Sequence, residues 1–94
     1  MTPEYNHSLN AIQKNAIDSL KAEWIGKTSV VVAYGWSGGS FSVAALDHIL
    51  PYLEADYKPH AAQLTFMKDI NPDGTAIDQD AISTKIKTAI DEIA

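Results

Sequence analysis

The chain has 94 residues, a length that predicts one domain with a thin hydrophobic core. Its hydrophobic fraction of 46% argues against disorder, and its net charge of -5 with seven lysines and no arginine argues against a nucleic-acid groove. The absence of cysteine excludes disulfides, thiolate metal sites and cysteine nucleophiles. The first ten residues lack the apolar segment of a signal peptide, which predicts a cytoplasmic protein.

The first periodic segment is amphipathic. Its apolar residues recur at intervals of three and four: Leu9, Ile12, Ala16, Leu20 and Trp24. This spacing is typical of a helix, and it predicts one over about residues 8–25. Asn6 and Ser8 are both candidate N-caps, and Gly26 is a suitable stop.

Residues 28–46 contain no charge and centre on a glycine-rich segment. Residues 29–34 are rich in β-branched side chains and predict a buried strand. A helical pattern follows, with Ser40 or Ser42 as its N-cap and with Pro51 expected to kink or restart it. A membrane-spanning helix over residues 28–46 is an alternative, although its glycines and serines make that segment only weakly apolar.

The second half of the chain alternates and then becomes periodic. Residues 60–67 predict a second strand, with a helix beginning at Pro59 as the alternative. Residues 71–74 read Asn-Pro-Asp-Gly, which predicts a turn. Isoleucines at helical spacing then predict a final helix, with Asp78 and Asp80 at its positive end.

The order of these elements predicts a small single-domain α/β fold over residues 1–94. It reads helix, strand, helix, strand, helix and contains one parallel βαβ unit. If residues 60–67 are helical, the fold is mostly α instead. Because two strands make a meagre sheet, we expect the protein to self-associate, most simply as a homodimer.

The glycine-rich segment lies between a predicted strand and a predicted helix, where free backbone N–H groups favour an anion. Residues 37–42, SGGSFS, resemble the SGGxDS loop of the PP-loop ATP pyrophosphatase family, with Phe41 in place of its aspartate. The resemblance implies a phosphate or nucleotide held by Ser37, Gly38, Gly39 and Ser42. Residues 35–39 also fit the G-x-S-x-G pattern of a serine hydrolase, but that fold needs a far longer chain.

A second motif lies in residues 69–80, where D-x-N-x-D-G is followed by a further acid. It resembles the calcium loop of EF-hand and dockerin modules. The resemblance implies five oxygen ligands: Asp69, Asn71, Asp73, Thr75 and Asp80. The alternative is a turn that leads into a helix capped by acidic residues.

The sequence shows no complete set of nucleophile, base and acid, so the leading prediction is a small acidic binding protein without catalytic activity. Its partner is expected to be a protein, a second copy or an anionic small molecule, and not nucleic acid or membrane. The predicted binding surface comprises Gly35, Trp36, Ser37, Gly38, Gly39, Ser40, Phe41 and Ser42. A calcium-binding module and a PP-loop-like phosphate binder are the two alternatives.

Overall fold

A computed structural model of the chain describes residues 1–58 and 61–93. Within these residues the chain forms five short strands, three α-helices and one 3-10 turn. In chain order they are β1 (Thr2–Pro3), α1 (Ala11–Asp18), the 3-10 turn (Ala22–Trp24), β2 (Thr28–Ser29), β3 (Val32–Gly35), α2 (Ser40–Tyr52), β4 (Asp56–Tyr57), β5 (Ala62–Thr65) and α3 (Gln79–Asp91). The predicted α/β fold is confirmed.

The main sheet has the strand order β1-β3-β5, and both pairs are parallel. Thr2 pairs with Ala33, and Gly35 pairs with Thr65. A second parallel pair joins β2 to β4. The predicted βαβ unit is therefore β3-α2-β5, and β1 extends its sheet on the other side. Residues 60–67 were predicted as a strand with a helix as the alternative, and β5 decides for the strand, although Pro59 and His60 lie outside the described residues.

Side chains of β3 alternate between two hydrophobic clusters, one on each face of the sheet. Ala33 is fully buried in a cluster that also contains Ile17 from α1 and Leu46 from α2. Tyr34 packs against a second cluster that contains Ile82 from α3. The sheet is thus covered by α1 and α2 on one face and by α3 on the other.

The first helix is shorter than predicted. It begins after Asn10, whose side chain accepts a hydrogen bond from the Gln13 N–H at 3.1 Å, so neither Asn6 nor Ser8 is the N-cap. It ends at Asp18, and the chain then turns back so that the Trp24 indole N–H donates to the Ile17 carbonyl at 3.1 Å. The apolar spacing continues through a 3-10 turn that packs on the same core.

The centre of the chain also differs from the prediction in detail. The predicted strand over residues 29–34 is divided into β2 and β3, which pair with different strands. The N-cap of α2 is Gly39 at φ 70°, not Ser40 or Ser42. Pro51 lies in the last turn of α2, which continues to Tyr52, so it does not restart the helix.

The alternative of a membrane-spanning helix over residues 28–46 is wrong. This segment is divided between two strands, a loop and the start of α2. In the part of the chain that the structure describes, no helix has the length and apolar character needed to cross a membrane.

Candidate functional site

An open cleft lies at the carboxyl ends of the three strands of the main sheet. The residue directly after each strand lines it: Glu4 follows β1, Trp36 follows β3 and Phe66 follows β5. The cleft has a volume of about 530 Å³, and its other lining residues are Asn6, His7, Gly35, Ser37 and Phe41. In open parallel sheets this edge is where ligands bind, because the loops that leave the strands diverge there.

Two aromatic pairs form the apolar part of this cleft. The rings of His7 and Phe41 are stacked, with centroids 4.1 Å apart and planes 13° from parallel. Trp36 meets Phe66 edge to face at 5.3 Å. Trp36 is nevertheless 69% exposed and Phe41 45% exposed, so both rings retain surface for a further planar group.

The loop after β1, residues 4–8, makes a tight turn at the rim of the cleft. Tyr5 and Ser8 exchange both backbone hydrogen bonds, at 3.1 and 3.0 Å. The two central residues, Asn6 and His7, have φ of 51° and 63°, as in a type I′ turn. The turn therefore presents the Asn6 and His7 side chains to the cleft from a fixed backbone.

Ser42 anchors both ends of this loop from below. Its side chain is fully buried, and its hydroxyl lies 2.7 Å from the Pro3 carbonyl oxygen and 2.9 Å from that of Ser8. Because one hydroxyl hydrogen serves two acceptors, the two carbonyls share this donor. The first turn of α2 thus fixes where the loop after β1 begins and ends.

Glu4 connects the loop after β1 to the glycine-rich loop after β3. Its Oε1 accepts a hydrogen bond from the Phe41 N–H at 2.8 Å, and the Ser37 hydroxyl donates to the same carboxylate at 3.3 Å to Oε2. The carboxylate lies at the N-terminus of α2, where the helix dipole stabilises negative charge. The two walls of the cleft are joined through one side chain.

The glycine-rich loop is held from its other side by β5. The Gln63 side-chain amide donates to the Gly38 carbonyl at 3.1 Å and to the Ser40 hydroxyl at 3.0 Å. The Ser40 hydroxyl donates to the Ser37 carbonyl at 2.6 Å. Gly39 approaches the sheet so closely that an added Cβ would lie 2.6 Å from the Ala33 Cβ. The loop is consequently packed against the sheet on which it lies.

The eight residues predicted as a binding surface take three positions. Gly35, Trp36, Ser37 and Phe41 line the cleft. Gly38, Gly39 and Ser40 hold the loop against the sheet, and Ser42 lies buried beneath it. Sequence reasoning missed Glu4, Asn6, His7 and Phe66, which reach the cleft only because β1 and β5 pair on either side of β3.

Residues 69–80 do not form a calcium loop. The Asp69 carboxylate is buried and accepts hydrogen bonds from the Thr65 N–H and the Lys85 ammonium, both at 2.9 Å. These two bonds lower the pKa of Asp69 below its ordinary value, and the bond from Thr65 has the larger effect. Its oxygens are thus already used by the protein's own donors.

The other predicted ligands serve the turn itself. Asp73 accepts from the backbone N–H and the hydroxyl of Thr75, at 2.9 and 2.7 Å, and the Asn71 amide donates to the Thr75 hydroxyl at 3.0 Å. Asp80 belongs to the first turn of α3. Among residues 1–58 and 61–93, no group of three or more His, Cys, Asp or Glu side chains is placed to hold a metal ion. The turn into a capped helix, given as the alternative, is what these residues form.

Comparison with known proteins shows which family the cleft-forming part of the chain matches. The sequence model of the family described as NADPH-dependent FMN reductase matches residues 1–67. The chain belongs to this family. The matched residues include every residue that lines the cleft, whereas α3 and the loop before it lie beyond the match.

Three curated relatives of the family are similar to this chain. An NAD(P)H-dependent FMN reductase of Schizosaccharomyces pombe is 39% identical over 69 residues, which are 73% of this chain and 34% of that protein. One of Saccharomyces cerevisiae is 48% identical over 50 residues, covering 53% of this chain and 26% of the relative. One of Nectria sp is 42% identical over 48 residues, covering 51% and 24%. The chain spans about a third or a quarter of the length of these relatives.

Membership of a reductase family corrects several predictions. The resemblances to the PP-loop pyrophosphatases and to EF-hand modules are both wrong, as are the calcium cofactor and the phosphate-binding function derived from them. The prediction of a non-catalytic binding protein is overturned because the relatives are named as reductases. In flavin enzymes the cofactor carries the reaction, so the missing nucleophile, base and acid were no evidence against an enzyme.

Proposed function

We propose that this chain belongs to an NAD(P)H-dependent flavin reductase and holds the ring of FMN in the cleft at the carboxyl ends of β1, β3 and β5. One observation carries the proposal. The residues that follow the three parallel strands, Glu4, Trp36 and Phe66, line a single cleft, and two of them offer aromatic surface. The names of the relatives support FMN and NAD(P)H as the compounds involved.

The chemistry of the cleft fits the flavin ring. That ring is planar, with apolar faces and a polar edge, and Trp36 and Phe41 retain exposed aromatic surface against which such faces stack. Asn6 and Ser37 place hydrogen-bonding side chains on the same lining. The cleft volume of about 530 Å³ lies within the range of roughly 300–1,000 Å³ that is typical of small-molecule sites.

FMN, when bound, supplies the redox chemistry by accepting a hydride from NAD(P)H. The contribution of this chain is to bind and orient the ring. Trp36 and Phe41 would hold the ring by stacking, and the tight turn at Asn6 and His7 would bound the site at its rim. Such positioning lowers the barrier because the reacting groups meet in a prepared geometry.

Flavin binding is tested by titrating the protein into FMN and following the quenching of flavin fluorescence. We expect saturable quenching in the wild-type chain and a loss of about two- to tenfold in affinity for Trp36→Ala, since aromatic stacking is worth roughly 0.5–1.5 kcal/mol. Tyr52→Ala is the matched control, because Tyr52 is 83% exposed but does not line the cleft. Unchanged flavin fluorescence at saturating protein would refute the proposal.

Reduction is tested separately, by following NAD(P)H absorbance with FMN present. The proposal predicts that NAD(P)H consumption depends on FMN and falls in Trp36→Ala in parallel with flavin affinity. Consumption that is the same without FMN would contradict it.

Self-association of this chain also remains a proposal. The apolar side chain of Ile12 on α1 is 80% exposed, and that of Ile25 is 59% exposed. Sedimentation equilibrium of the wild-type chain and of Ile12→Ser measures the oligomeric state, and a monomeric wild type would reject the dimer. The cytoplasmic location stays a prediction.

A further inference from the structure

We propose that Glu4 is a positioning residue that sets the ligand specificity of the cleft. Its carboxylate acts as a built-in anion at the N-terminus of α2. The cleft therefore accepts the uncharged ring of a flavin and rejects a phosphate group at this helix end. The choice of flavin as the ligand rests on the function proposed above.

Glu4 occupies donors at the N-terminus of α2. The first N–H groups of a helix have no partner within the helix, and after a glycine-rich loop they commonly bind phosphate. Here the Phe41 N–H, in the first turn of α2, donates to Glu4 Oε1 at 2.8 Å. The Ser37 hydroxyl, a second donor of the same loop, is directed to the same carboxylate. Both of these donors are already bound to a negative charge.

The lining of the cleft carries one acidic side chain among the described residues. Among the described residues that line the cleft, Glu4 is the one carboxylate, and none is a lysine. An anion placed beside Glu4 would face its charge without a lysine in the described lining to offset it. Repulsion of this kind falls with distance and with salt, so its effect on a bound ligand is measurable at low ionic strength and disappears at high ionic strength.

Substitution can separate the charge of Glu4 from its hydrogen bonds. Its carboxylate joins the loop after β1 to the loop after β3, which form two walls of the cleft. Glu4→Gln keeps an oxygen that accepts from the Phe41 N–H and an amide that bonds to Ser37, but it removes the charge. Glu4→Ala removes both. The two variants consequently distinguish a positional role from an electrostatic one.

The test compares riboflavin, which lacks a phosphate, with FMN, which carries one, by fluorescence titration at low salt. In the wild-type chain we expect the two dissociation constants to agree within about twofold. In Glu4→Gln we expect FMN to gain about two- to fourfold over riboflavin, with the gain lost at high salt. In Glu4→Ala both ligands should bind more weakly. Glu23→Gln, which removes an exposed carboxylate away from the cleft, should leave the ratio unchanged.

A second measurement needs no flavin. Nuclear magnetic resonance of ¹⁵N-labelled protein follows the Phe41 amide during titration with inorganic phosphate. We expect no saturable shift in the wild type and a saturable shift in Glu4→Ala, in which the amide has lost its partner and no longer faces a negative charge. Glu4→Gln keeps an oxygen bonded to this amide, so its shift should be smaller.

The results separate this inference from the proposed function. If neither riboflavin nor FMN binds the wild-type chain, the proposed function fails, and the phosphate titration still decides the role of Glu4. The inference is overturned if phosphate shifts the Phe41 amide of the wild type, if it shifts that amide in neither variant, or if Glu4→Gln leaves the FMN-to-riboflavin ratio of a flavin-binding chain unchanged.

Discussion

Replacing Gly39 with alanine should destabilise the protein because the loop beneath the cleft touches the central strand. Gly39 is the N-cap of α2 and has φ of 70°, a conformation that side chains disfavour. An added Cβ would lie 2.6 Å from the Ala33 Cβ and 2.9 Å from the Tyr34 nitrogen. Ala33 is fully buried and Tyr34 lies in the same strand, so neither atom can move without shifting β3.

Two costs add in this variant. The left-handed conformation costs about 1–2 kcal/mol for a residue with a Cβ. Forcing a methyl group into a packed interior costs about a further 1–3 kcal/mol. We therefore expect Gly39→Ala to lower the free energy of unfolding by about 2–5 kcal/mol, a large share of the roughly 5–15 kcal/mol typical of a small domain.

Gly26→Ala is the matched control. Gly26 also has φ of 70°, but no atom lies within 4 Å of its added Cβ, so this variant carries the conformational cost alone. Urea unfolding followed by circular dichroism gives both free energies. The difference between the two variants should be about 1–3 kcal/mol, which is the cost of the contact with β3. Equal losses in both variants would refute the reasoning from this contact.

Three further predictions follow from the contacts of single side chains. Ser42→Ala should lower the free energy of unfolding by about 0.5–1.5 kcal/mol, because it removes the fully buried hydroxyl that donates to the Pro3 and Ser8 carbonyls, whereas the exposed Ser83→Ala should have little effect in the same urea assay. Asp69→Asn should lower the free energy of unfolding at neutral pH. Because the pKa of Asp69 is lowered in the folded state, the ionised carboxylate stabilises the fold above about pH 4, and this contribution is lost as the pH falls through the lowered pKa. In urea titrations at acidic pH, the difference in free energy of unfolding between the variant and the wild type should therefore decrease. Adding calcium or EDTA should leave the melting temperature unchanged, because Asp69 is paired with Lys85, and a rise reversed by EDTA would contradict this.

The sequence predicted best the long elements, in which the hydrophobic periodicity repeats several times. Helices α2 and α3 each extend over 13 residues, and the βαβ unit followed from the order of the segments. Strand β1 has only two residues, too few to show a period, so nothing local marked it. The pairing of Thr2 with Ala33 is a long-range contact, which is why the N-terminal part of the sheet was missed.

The site was predictable only in part, for a related reason. The uncharged, glycine-rich composition of residues 35–42 pointed to one wall of the cleft. The opposite wall depends on Glu4, which lies 37 positions from Phe41 in the chain but is hydrogen-bonded to it. The carboxylates of residues 69–80 matched a calcium motif in spacing, yet the sequence could not show that Lys85 and the Thr65 N–H would take up the oxygens of Asp69.

The first turn of α2 holds the separate parts of the cleft in fixed positions relative to one another. Ser40 is bonded to Gln63 of β5, the Phe41 N–H is bonded to Glu4, and Ser42 is bonded to the carbonyls on both sides of the loop after β1. Three consecutive residues of this turn thus bond to the loop after β1 on one side and to strand β5 on the other. A substitution in this turn should displace both walls of the cleft together. A substitution at the C-terminal end of α2 touches neither wall directly. For this reason flavin affinity should follow the integrity of this turn more closely than it follows overall stability.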